Sequence, residues 1–99
     1  MQNPVNPSGS SPDPASGDGP SASSYESAVD AVRQVIAWYG EQLQAERSRP
    51  VPDENRLGQL LAERKACRAD LELLEDADAD VIARTGERYE ARVKNLPRP

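Results

Sequence analysis

Apolar residues enter this chain with a regular rhythm only after residue 24. Along "SYESAVDAVRQVIAWYGEQLQAER", Tyr25, Val29, Val32, Ile36, Tyr39 and Leu43 stand at spacings of 4, 3, 4, 3 and 4. That rhythm keeps one stripe of a helix turned towards a partner helix. It predicts a helix over 25–47, with Ser24 as its cap and Glu26 in its first turn. Val35 and Trp38 lie beside the stripe and widen it. The helix should stop at "RPVPDE", because Pro50 and Pro52 donate no backbone hydrogen bond.

A second rhythm follows. Asp53 is the expected cap of a helix over 54–75, in which Leu57, Leu60, Leu61, Cys67, Leu71 and Leu74 are apolar and Arg64 intrudes. Each helix spans about 33 Å at about 1.5 Å per residue, so a short proline turn between them makes an antiparallel hairpin. Pairing about Pro50 sets Leu43 opposite Leu57, Tyr39 near Leu61, Val32 near Cys67 and Val29 near Leu71. Beyond Leu74 the phase changes. Leu60, Cys67, Leu74 and Val81 repeat by seven, whereas Ile82, Tyr89 and Leu96 follow a stripe displaced by one residue. A displacement of about 100° around the axis predicts a third helix over 80–96, or a kinked continuation of the second. Its apolar face is thin (Val81, Ile82, Tyr89, Val93, Leu96), and Pro97 ends it.

The expected fold is therefore all-α: a coiled-coil-like antiparallel hairpin with a third C-terminal helix or kinked extension, occupying residues 24–96. Residues 1–23, "MQNPVNPSGSSPDPASGDGPSAS", hold Val5 as their only branched aliphatic. Such a segment buries too little apolar surface to offset about 1–2 kcal/mol per residue of backbone entropy, and it is expected to be a disordered tail.

Composition narrows the chemistry. The 99 residues carry a net charge of −5, no His and a single Cys. The commonest general base and zinc ligand is thus missing, and Cys67 has neither a disulfide partner nor a CxxC mate. An acidic chain is unsuited to direct nucleic-acid binding, which depends on a basic face. No stretch is long and apolar enough to span a membrane, and the first residues do not form a conventional signal peptide, so a cytoplasmic location is expected.

One segment, "EDADADVIARTGE", has the look of metal chemistry. Asp76, Asp78, Asp80 and Glu87 fall at positions 1, 3, 5 and 12 of a loop that resembles the EF-hand, but Val81 stands where that loop needs glycine for its sharp turn. Asp76 and Asp78 are better suited to the start of a helix, whose N-terminus favours carboxylates. No metal or cofactor is expected.

Two further resemblances bear on function. Trp38-Tyr39-Gly40 resembles the W-x-G tripeptide of the WXG100 proteins, small exported helical hairpins of similar length. The resemblance implies a tripeptide in the turn between the helices, although the prolines here place the turn about ten residues later. It also implies an export signal of Tyr followed four residues on by an acid, where Tyr89 is followed by Val93. "LGQLLAERKACRADL" is similar to a helix of AroQ-type chorismate mutases, which implies a small helical enzyme with a Lys about three turns further on. Glu75 occupies that place, and helix one supplies only Arg33 in its middle, so no catalytic residue is assigned.

The function expected is non-enzymatic: a helical interaction or adaptor protein acting through self- or hetero-association, with a homodimer or a helical protein as partner. Both helices of a lone hairpin carry more apolar surface than one seam hides. The candidate interface residues are Val35 and Trp38 on the first helix, Leu61 and Leu73 on the second, and Ile82 and Tyr89 on the third segment.

Overall fold

The computed structural model describes residues 22–97, with side chains from Ser24 onward. Residues 1–21, most of the expected tail, lie outside the described residues. Among the described residues there are three α-helices and no strand: α1 Ala22–Arg47, α2 Glu54–Leu73 and α3 Ala79–Lys94. A short 3-10 turn, Leu74–Asp76, follows α2 directly. The first helix starts earlier than its apolar rhythm suggests, which places Ser24 inside the first turn rather than at the cap.

α1 and α2 form the expected antiparallel hairpin. Asp53 caps α2, its Oδ1 accepting from the Arg56 N–H at 3.1 Å. The turn is drawn together by Glu46, a carboxylate only 5% exposed. Its Oε2 accepts from the Asp53 N–H and from Arg49 Nη1, each at 2.8 Å, and Arg56 Nε lies 3.6 Å from Oε1. A buried carboxylate is tolerable only when its oxygens are occupied in this way. Glu46 thus joins the end of α1 to the start of α2 across the two prolines.

α3 folds back onto α1 rather than continuing α2. After the 3-10 turn, Ala77 and Asp78 are extended (ψ 149° and 175°), and Asp78 Oδ1 caps α3 by accepting from the Val81 N–H at 3.0 Å. The aspartate run is therefore a helix start, with one of its carboxylates occupied by backbone. α3 runs in the same direction as α1: Gly86 lies beside Ala28, Arg92 reaches Tyr39, and Pro97 meets Trp38.

The core follows from this arrangement. On α1 the predicted stripe is present, with Val32, Tyr39 and Leu43 buried and Tyr25, Val29 and Ile36 partly buried. A second stripe, Ala28, Ala31 and Val35, is buried as completely, and its Ala28 lies against α3. α2 contributes Leu60, Cys67 and, just past its end, Leu74, with Leu57 and Leu71 partly covered and Arg64 half-buried. Leu60 rather than Leu61 enters the seam, since 57, 60, 64, 67, 71 and 74 keep the 3–4 alternation and residue 61 falls off it. α3 contributes Ile82, Thr85, Gly86 and Tyr89. Its face is thin in aliphatics because two of its buried positions are small, and that smallness lets the two backbones come together.

The glycines separate these effects. A Cβ built at Gly86 would meet Ala28 Cβ at 3.4 Å, whereas one built at Gly40 or Gly58 meets nothing within 4 Å. Gly40→Ala and Gly58→Ala should each stabilise the chain by about 1 kcal/mol, the helix-propensity difference. Gly86→Leu should instead cost about 1–3 kcal/mol or more by wedging α3 away from α1. Urea unfolding of the three variants checks this. Equal midpoints for Gly40→Ala and Gly86→Leu would show that α3 does not pack closely on α1.

Candidate interaction surface and its interior support

The six candidate interface residues fall into three groups. Val35 (0% exposed), Ile82 (7%) and Tyr89 (1%) lie in the chain's own core. The expectation that they face a partner is corrected by α3, which covers the side of α1 that a lone hairpin leaves open. Leu61 (39%) and Leu73 (66%) remain exposed on α2. Trp38 is half-buried: its Nε1–H donates to the Pro97 carbonyl at 3.0 Å, and its ring stands edge-on to Tyr39 with centroids 5.1 Å apart. The segment just past α3 therefore takes up the indole's polar edge and leaves part of the ring uncovered.

The W-x-G tripeptide is not in the turn. Trp38, Tyr39 and Gly40 lie well inside α1, and the chain reverses over 48–53. The feature that the resemblance to exported hairpins implies for that tripeptide is thus absent from these three residues.

The groups that could carry chemistry meet in one place, where all three helices converge. Tyr89 Oη donates to Asp70 Oδ2 at 2.6 Å, and Arg88 Nη2 donates to the same oxygen at 3.0 Å. Arg92 Nη2 donates to Tyr39 Oη at 3.0 Å, and its Nη1 lies 3.8 Å from the buried Cys67 Sγ. Both guanidinium groups stack on the Tyr89 ring, Arg88 at 5.2 Å and Arg92 at 5.0 Å from its centroid. This cluster ties α3 to α2 and α1 through polar atoms, and it occupies both Arg88 and Arg92. Sequence reasoning missed it. Tyr89 and Asp70 are 19 residues apart, and neither periodicity nor motif links them.

The cluster favours protonated phenols. Burial, then the hydrogen bond to Asp70, holds the Tyr89 hydroxyl far above its ordinary 10.0. Burial, then hydrogen bonding with Glu63, raises Tyr39 as well. Hydroxyls so placed are weak proton acceptors and donors at neutral pH, and they act as packing groups with a fixed hydrogen bond. Among the described residues, no helix is long and apolar enough to cross a membrane.

The pH dependence follows. The folded chain holds the Tyr89 proton more tightly than the unfolded chain does, so this contribution to stability is complete below about pH 10, where both states are protonated, and is lost as pH rises further. Tyr89→Phe keeps the ring and removes the hydroxyl. It should cost about 1–2 kcal/mol near neutral pH and flatten the fall in stability above about pH 10. Urea unfolding across that range checks both effects; an alkaline fall as steep in the variant as in the wild type would place the titrating group elsewhere. No protein-family model, curated protein or solved structure matches this chain.

Proposed function

We propose that this chain is a non-enzymatic, cytoplasmic helical interaction protein whose α2 offers its outward side to another helix, with a second copy of the chain as the first partner to consider. The observation that carries this reading is the exposure of Leu73 (66%) and Leu61 (39%) in a fold that covers its other leucines. The two lie 12 positions apart, about 18 Å along the axis and a third of a turn around it, with Ala62 and Ala69 between them. Covering what is exposed of Leu73 is worth roughly 1–2 kcal/mol, a useful share of a weak association. Small residues between the leucines let a partner backbone approach closely.

The non-enzymatic part of the reading rests on the fate of the reactive groups. Cys67 is buried at 1% exposure with Arg92 beside it, and both buried tyrosines are committed to side-chain partners. The cations of the cluster are likewise occupied, Arg88 with Asp70 and Arg92 with Tyr39.

Sedimentation across a concentration series tests the reading. The wild type should associate at micromolar concentrations, and Leu61→Ser combined with Leu73→Ser should return it to a monomer. The melting temperature should barely move, because exposed substitutions typically change stability by less than about 0.5 kcal/mol. A wild type that stays monomeric throughout, or association that survives the double substitution, would exclude α2 as the contact.

A further inference from the structure

α1 has a third side, turned towards neither α2 nor the axis of α3. Ser27, Asp30, Gln34, Ala37 and Glu41 run along it at spacings of 3, 4, 3 and 4. α3 has a matching line, Ala83, Glu87, Glu90 and Lys94, at spacings of 4, 3 and 4. Three concavities of about 290, 250 and 160 Å³ lie end to end along these lines. The first two share Ser27 and Glu90, and the last two share Gln34. The first two form one groove between α1 and α3 over Ala28, Ala31, Gly86 and Val93, and the third continues from Gln34 along α1 alone, beside Trp38. From Ser27 to Glu41 the groove and its continuation along α1 run about 21 Å, the length of a helix of about 14 residues.

The groove's charge is one-sided. Asp30 and Glu41 stand on the α1 side, Glu87 and Glu90 on the α3 side, and only Lys94 opposes them. Among the described residues, the ion pairs involve Glu46, Asp70 and Asp80 and reach none of these four carboxylates. A floor of small apolar residues between two acidic, heptad-spaced rims complements a helix with a narrow apolar stripe flanked by lysine or arginine.

We infer that the α1–α3 groove docks one cationic amphipathic helix of a partner protein, with Trp38 as an aromatic anchor at one end. The chain's own segments do not supply that occupant. α2 balances Arg56, Arg64, Lys65 and Arg68 with Glu54, Glu63, Asp70 and Glu72, and residues 1–21 contain Asp13 and Asp18 but no Lys or Arg. The inference rests on the interaction reading above and adds a second face, separate from Leu61 and Leu73.

The test uses the full chain carrying Leu61→Ser and Leu73→Ser, so that self-association through α2 and binding in the groove are read separately. The probe is a labelled synthetic helix of about 14 residues with leucines at heptad spacing and flanking lysines; its counterpart has glutamates in place of the lysines. Anisotropy should show saturable binding of the lysine peptide alone, accompanied by a change in Trp38 emission. Glu87→Lys with Glu90→Lys should weaken it roughly tenfold or more, whereas Glu72→Lys with Glu75→Lys, the same change in net charge on α2 and the turn after it, should not. If the lysine pair fails to fold, Glu87→Gln with Glu90→Gln reads the same loss without reversing charge. Equal weakening by the two lysine pairs would reduce the effect to general attraction by an acidic chain and overturn the inference. So would equal binding of the two peptides, or a groove that takes a second copy of the chain in place of the peptide.

Discussion

The fold depends on one constraint: α1 must be covered on two sides. Val32 and Val35 are both at 0% exposure, yet they stand three residues apart on the same helix, about 60° around its axis. A single antiparallel partner covers the stripe that holds Val32, Tyr39 and Leu43. The stripe that holds Ala28, Ala31 and Val35 needs a second helix, and α3 supplies it. The breaks after α1 and α2 follow from that need. Pro50 and Pro52 return the chain along one side of α1, and the extended Ala77 and Asp78 return it along the other.

The two interfaces are built differently. α1 and α2 meet through branched and leucine side chains in a regular seam, fastened at the turn by the buried Glu46. α1 and α3 meet through small residues, and a cluster of tyrosine, arginine and aspartate completes the join. Polar groups at such a join fix orientation, since each hydrogen bond is directional and its loss leaves a group without its partner. The same cluster takes up Cys67, Tyr39 and Tyr89, and with them most of the chain's reactive chemistry. Outside that cluster, two leucines of α2 stay exposed and a concavity runs between α1 and α3.

Much of this is legible in the residues. Branched aliphatics and leucines at heptad spacing mark the hairpin, prolines mark its turn, and Asp53 and Asp78 mark the starts of α2 and α3 because a carboxylate before a helix has a specific acceptor role. The course of α3 is harder to read, because its packing face is made of Thr85 and Gly86, residues that carry no hydrophobic signal, opposite Ala28 and Ala31, which as alanines fit any side of a helix. For that reason Val35, Ile82 and Tyr89 read as surplus apolar surface awaiting a partner, and each is core. Glu46 and the Tyr89–Asp70 pair are invisible for another reason. Their partners come from across a turn or from another helix, and only the folded geometry brings them within hydrogen-bonding distance.

The central claim is that α3 is an integral layer of the fold and not an appendage to a self-sufficient hairpin. Native-state hydrogen exchange tests it most directly, because it reports the opening free energy of each helix separately. The amides of α3 around Gly86 and Tyr89 should exchange through the same global opening as those of α1 around Val32 and Val35, with protection falling in parallel as denaturant is added. Exchange of α3 near the rate of an unstructured peptide, with α1 still fully protected, would contradict the account.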